Sequence, residues 1–110
     1  YVAGQCTWWA YLRRHQLGLP VGSYFGNGQD WANSARAHGY WVDNTPRHKG
    51  DVMVFRAGQE GASSVYGHVA IVESINADGT VTVSECGASL NGKPASRTLS
   101  NVNDFQYIHY

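Results

Sequence analysis

At 110 residues the chain has room for one domain and not two, and with 43% hydrophobic and 15% charged residues it should bury a real core, roughly 60–70% of its unfolded surface. Eight basic residues balance eight acidic ones, which removes the electrostatic footprint of a nucleic-acid binder. No apolar run approaches the ~20 residues of a membrane span, and no basic amphipathic helix offers itself to a lipid surface.

In chain order, Cys6 to Leu17 reads as a helix. Trp8, Trp9, Ala10, Tyr11 and Leu12 run without a breaker and look apolar all round, as in a core helix. Arg13, Arg14 and His15 complement the dipole of the last turn, Gly18 supplies the stop and Pro20 prevents resumption. Residues 20–28 are a glycine-rich loop. A second helix is expected from Gln29 to His38, with Trp31, Ala32 and Ala35 at helical spacing and Gly39 as its stop. Tyr40 to Val42 is a short strand, Asp43 to Gly50 a turn region around Pro46, Val52 to Phe55 a strand, and Gly58 to Ser64 a loop. His68 to Ile75 and Thr80 to Cys86 form a hairpin, with Asp78-Gly79 marking the turn. Residues 88–100 read as polar loop and Phe105 to Tyr110 as a closing strand. Helices followed by strands, without β-α-β alternation, indicate an α+β domain with an antiparallel sheet.

Two cysteines are too few for a disulfide scaffold or a cysteine-based zinc site. Cys6 begins the first helix, where free N–H groups and the dipole favour the thiolate. The ordinary alternative for a lone cysteine is a buried structural thiol, so a base must separate the two. Of five histidines, His15 and His38 close helices, His48 sits in a basic turn and is read as solvated, and His109 has little context. His68 stands at the mouth of an otherwise apolar strand and is the candidate base.

The hairpin supplies a third member. If 76–79 is the loop, Ile75 pairs with Thr80, Ala70 faces Glu85, and His68 faces Gly87. His68 and Glu85 are then diagonal neighbours on one face, ~7–8 Å apart at Cβ. Val72, Val81 and Val83 on that face are expected to pack on the helices, with Cys86 on the opposite face. A one-residue slip would break this parity. Cys6, His68 and Glu85 thus combine as nucleophile, base and orienting acid, with the Cys6 N–H and the Gln5 side chain as oxyanion donors.

These segments resemble the CHAP domain (cysteine, histidine-dependent amidohydrolase/peptidase). The likeness rests on Gln5-Cys6-Thr7-Trp8-Trp9, Pro46-x-x-x-Gly50-Asp51-Val52-Met53, Tyr66-Gly67-His68-Val69-Ala70-Ile71-Val72-Glu73 and Val83-Ser84-Glu85, in family order along the whole chain. The resemblance implies a papain-like α+β fold. It also implies a bacterial or phage enzyme, secreted and wall-directed, that cuts peptide or amide bonds of peptidoglycan through Cys6, His68 and Glu85. Many members carry Asn two residues after that Glu; here the residue is Gly87. Some phage members bind calcium through acidic residues upstream of the cysteine, and this chain has no such cluster, so no metal or other cofactor is expected. Trp8, Tyr24, Trp31 and Tyr66, together with Trp9 and Trp41, are candidates for substrate-groove walls. Tyr1 in place of an initiator Met suggests one domain (1–110) excised from a longer secreted protein, acting as a monomer. The rival readings are a related amidase on a small amide substrate and a catalytically idle wall-binding module; the paired Gln5-Cys6 and Gly67-His68 motifs argue against idleness.

Overall fold

The computed structural model describes residues 3–19, 21–22, 25–62, 64–87 and 92–110. Two helices, α1 (Cys6–Gln16) and α2 (Trp31–Ala37), precede six strands: β1 (Val42–Asp43), β2 (Val52–Phe55), β3 (His68–Ile75), β4 (Val81–Glu85), β5 (Ala95–Leu99) and β6 (Gln106–Ile108). The strands form one antiparallel sheet in the order β1-β6-β2-β3-β4-β5. The α+β class read from the sequence is therefore the one observed. Among the described residues no helix is long and apolar enough to cross a membrane.

Helix α1 departs from the expected core helix. Only Thr7, Ala10 and Arg14 are buried in it, a stripe at the three- and four-residue spacing of one face. Arg14 is fully buried and does more than complement a dipole. Its guanidinium donates to the carbonyls of Gly50 at 2.8 Å and His109 at 3.2 Å, tying the helix to two distant segments. Arg13 grips Glu73 through two hydrogen bonds of 2.9 Å. Helix α2 begins two residues later than expected, because Gly28–Asp30 forms a 3-10 turn ahead of it.

Both sheet faces are buried. Ala10, Trp31, Ala32 and Ala35 of the helices pack on Val52, Val54, Val69, Ile71 and Ile108. On the other face Met53, Phe55, Ala70, Val72, Val81 and Val83 pack with Leu99, Phe105 and Tyr107. Val72, Val81 and Val83 thus lie away from the helices, opposite to the expectation. Parity along β3 explains this: Val69 and Ile71 face the helices, so Ala70 and Val72 cannot. Strand β5 lies inside the stretch read as loop. Its alternation is masked because Ala95, Ser96 and Thr98 are exposed and only Leu99 is buried.

The hairpin register explains how His68 and Glu85 come together. Near the turn Ile75 pairs with Val81 and Ser74 with Thr82, one residue off the expected register. A bulge between Val72 and Ser74 absorbs the difference, so Val72 pairs with Val83 and Ile71 with Ser84 as expected. Glu73 is the bulged residue. It accepts from Arg13 and also from the Ser84 hydroxyl at 2.7 Å, which fixes α1 across the hairpin.

Candidate active site

The start of α1 and the start of β3 meet at one end of the sheet. Gln5 is the N-cap, extended in backbone, with no side-chain capping bond, and its side chain faces a cavity of about 680 Å³. Cys6, Tyr66, His68, Glu85 and Arg97 line the same cavity. Both cysteines are free thiols. Cys86, fully buried, donates its thiol proton to the Gly4 carbonyl at 3.2 Å, and burial pushes its pKa up.

His68 is held by a close backbone approach. A Cβ on Gly28 would stand 2.7 Å from the His68 backbone, and one on Gly67 would stand 2.6 Å from the Gln29 side chain and the Phe55 carbonyl. Gly67 also takes φ +69°, a conformation that favours glycine. The Gln29 N–H donates to the Tyr66 carbonyl at 2.8 Å and its side-chain amide to the Val65 carbonyl at 2.7 Å. The 3-10 turn before α2 therefore clamps the segment that delivers His68.

The His68 Nε2–H donates to Glu85 Oε1 at 2.7 Å, which leaves Nδ1 for Cys6, to which the ring is also hydrogen-bonded. Burial alone would raise the Cys6 pKa. The hydrogen bond and positive charge of His68, with backbone N–H groups of Val69 and Thr7, outweigh it and hold the thiol below its ordinary value. Burial alone would lower the His68 pKa, but bonds to Cys6 and Glu85 and their negative charges raise it to about 9. Such opposite displacement favours the thiolate–imidazolium form of the pair. Glu85 is also pushed upward by burial, yet His68 and then Arg97 hold it below the usual carboxylate range.

Arg97 escaped the sequence reading. Its Nε lies 2.6 Å from Glu85 Oε2, its Nη1 donates to the Glu60 carbonyl at 2.9 Å, and its guanidinium lies 5.1 Å from the Phe55 ring centroid. Both Glu85 oxygens are thus engaged, one by His68 and one by Arg97. Nothing in Ala95-Ser96-Arg97-Thr98-Leu99 could have found it, since only Leu99 of that strand is buried.

The aromatic candidates divide. Tyr66 is 56% exposed at the cavity. Trp31 is fully buried, edge-on to Phe25 at 5.5 Å and donating its indole N–H to the Gly26 carbonyl at 3.1 Å; it belongs to the core and is no groove wall. Trp8 is half-buried beside Trp9 and is not among the residues lining the cavity, while Trp9 donates to the Ser84 hydroxyl at 3.0 Å. Trp41 is 51% exposed but stacks near His109, away from this cavity. Tyr24 lies outside the described residues.

Comparison with known proteins places the chain in a family. The CHAP domain family pattern matches residues 1–87. A probable autolysin, LDP, of Staphylococcus aureus (strain NCTC 8325 / PS 47) is 41% identical over 109 residues, covering 99% of this chain and 37% of that protein. An N-acetylmuramoyl-L-alanine amidase domain-containing protein of the same strain is 41% identical over 100 residues, covering 91% of this chain and 16% of its own length. The chain therefore spans well under half the length of these relatives. The crystal structure of an N-acetylmuramoyl-L-alanine amidase from Staphylococcus aureus superposes with TM-score 0.88 at 38% identity, covering 96% of this chain and 30% of that one, in keeping with the papain-like α+β fold. With its opening cysteine helix and its His68 hairpin both inside the matched segment, the chain belongs to the CHAP domain family.

Proposed function

We propose that residues 1–110 form the catalytic domain of a longer, secreted, wall-directed protein that hydrolyses a peptide or amide bond of peptidoglycan, with Cys6 as nucleophile, His68 as acid–base and Glu85 as the orienting carboxylate. The observation that carries this reading is the continuous chain from the Cys6 thiol through His68 to Glu85, open to a cavity. The names of the relatives, autolysin and N-acetylmuramoyl-L-alanine amidase, suggest the substrate class.

The chemistry follows from the geometry. The Cys6 thiolate attacks the carbonyl carbon, forming a C–S bond and placing negative charge on the oxygen. The Cys6 N–H, at the start of α1 where helix amides lack intrahelical partners, and the Gln5 side-chain amide are the donors proposed for that charge. His68 gives its Nδ1 proton to the departing nitrogen as the C–N bond breaks, leaving a thioester. Neutral His68 then takes a proton from water, the hydroxide oxygen attacks the thioester, and the acid leaves as the C–S bond breaks. Glu85 keeps the Nε2 proton in place and stabilises the imidazolium, and Arg97 keeps Glu85 in place. Tyr66 is a candidate wall for the substrate.

Mass spectrometry of fragments released from purified cell walls tests the proposal and separates its two forms. New amino termini within the peptides identify an endopeptidase, whereas muramic-acid glycans freed of peptide identify an amidase. Cys6→Ala should release neither while keeping its fold by circular dichroism. Fragment release by Cys6→Ala would remove the cysteine mechanism.

A further inference from the structure

We propose that His48, Asp51 and His109 form a binding site for a divalent transition-metal ion of the zinc class, separate from the cavity of Cys6 and His68. A His48 ring nitrogen, an Asp51 carboxylate oxygen and a His109 ring nitrogen all lie within 4.8 Å of one another. Asp51 and His109 are fully buried, while the His48 side chain is 42% exposed and opens the cluster to solvent.

The hydrogen bonds leave this cluster incomplete. Asp51 Oδ2 accepts the backbone N–H groups of Arg47 and His48, each at 2.8 Å, which closes the turn before β2. Asp51 Oδ1 is buried without a hydrogen-bond partner. His109 is fixed from its far side, where Nε2 lies 2.6 Å from Asp43 Oδ1. That contact places a proton on Nε2 and leaves Nδ1 facing Asp51. Nδ1 lies 2.8 Å from Asp51 Oδ2, yet it is not aligned for a hydrogen bond. His48 Nδ1, 3.5 Å from Asp51 Oδ1, is likewise unpartnered.

The choice of occupant follows from counting these atoms. A second proton on His109 would serve one of the three; a cation bound by all three would serve each of them. Two imidazoles and one carboxylate match zinc and its neighbours, whereas calcium requires six to eight oxygens. Atoms bonded to one zinc ion at ~2.0–2.1 Å stand roughly 3.3 Å apart; here His48 Nδ1 and Asp51 Oδ1 stand 3.5 Å apart, with all three ligand atoms within 4.8 Å of one another. Asp43 behind His109 is the outer carboxylate that holds a ligating imidazole by its other nitrogen. The nearby cations are already engaged. Arg47 pairs with Asp43 Oδ2 at 2.8 Å, and Arg14 donates to the carbonyls of Gly50 and His109, neighbours or members of the ligand set. The site is remote from the chemistry: Asp51 precedes β2, and His68 pairs with Phe55 at that strand's other end, about 13 Å away at 3.3 Å per residue.

The test uses the 110-residue chain carrying Cys6→Ala, so that the Cys6 thiol cannot capture the probe. Titration with Co²⁺ should develop visible absorption that saturates at one equivalent, and Zn²⁺ should displace it. His48→Ala should weaken binding by ~100-fold or more, and Asp43→Asn by roughly 10–100-fold. Nitrogen-15 NMR of the imidazoles, which needs no further variant, should show Zn²⁺ shifting Nδ1 of His48 and His109 while His109 Nε2 keeps its proton. Absence of saturable binding, binding indifferent to His48→Ala, or a His109 Nδ1 still protonated under excess Zn²⁺ would each overturn the proposal and leave a buried imidazolium between two aspartates.

Discussion

The Cys6 thiol and the His68 ring displace each other's titration in opposite senses, and the pH behaviour of both reaction and fold depends on it. Cys6 ionises below its ordinary value of 9.0, and His68 holds its proton up to about 9 instead of 6.5. The productive pair therefore occupies the window between the lowered Cys6 pKa and about pH 9. Activity should fall on the acid side as the thiolate is lost and on the alkaline side near pH 9 as the imidazolium is lost. Because the folded state raises the His68 pKa, that contribution to stability is complete below pH 6.5 and disappears as pH rises through about 9. Iodoacetamide kinetics against pH should show Cys6 reacting from below the ordinary thiol range and well ahead of buried Cys86; equal rates would contradict the pairing. Glu85→Gln should lower kcat/KM by somewhere between ~10 and 10⁴-fold, since the ring stays held but loses its counter-charge. Arg97→Gln removes a cation that opposes the imidazolium, so the alkaline limb should move upward by about one pH unit while the rate falls. A fall in rate with an unmoved profile would make Arg97 merely structural. At this scale Cys6, His68 and Glu85 were legible because a helix start and a hairpin place them by local rules. Arg97 and His109 were not, because their partners lie 12 and 58 or more positions away and no spacing rule links them.

At the scale of elements, the hairpin shows how a sequence reading can reach the right face through a register that is locally wrong. The turn is one residue longer than Asp78-Gly79 suggests, and the bulge at Glu73 takes up that residue before the strands reach His68 and Glu85. Nothing in Val72-Glu73-Ser74 advertises a bulge; its support comes from Arg13 on α1 and Ser84 on β4, which only the folded chain brings together. The face assignment failed for a related reason. Both sheet faces are apolar, so alternation fixed which residues share a face but not which face the helices cover. Close approach is also invisible in sequence, and it yields a paired prediction. Gly28→Ala must push the His68 backbone away, because its Cβ would stand 2.7 Å from it. It should cost about 1–3 kcal/mol in stability and reduce kcat/KM by ~10²-fold through misplaced His68. Gly87→Ala, whose Cβ meets nothing within 4 Å, should leave the melting temperature unchanged. Thermal melts and wall-clearing rates on the two variants check both halves, and equal effects would remove the positioning role of Gly28.

Across the whole molecule the two ends of β2 carry different chemistry, and this separation governs how the protein should respond to chelators and to thiol reagents. At one end Phe55 pairs with His68, beside Cys6, the proposed nucleophile, for whose chemistry a base and oxyanion donors suffice. At the other end Asp51 faces two imidazoles, joined to the first end through the buried strand and not through any residue lining the cavity. Arg14 and the packing of Val52, Val54 and Ile108 hold that far end in place whether or not an ion is bound. Exhaustive EDTA treatment should therefore leave fragment release from calcium-stripped walls intact, even where it lowers the melting temperature by emptying the far site. Alkylation should abolish release, and oxidation should do so reversibly where it stops at sulfenate or disulfide. The decisive sample is dialysed, metal-free protein assayed on stripped walls. Activity that vanished there and returned on adding calcium or zinc would place a metal in the reaction itself and break the separation of the two ends.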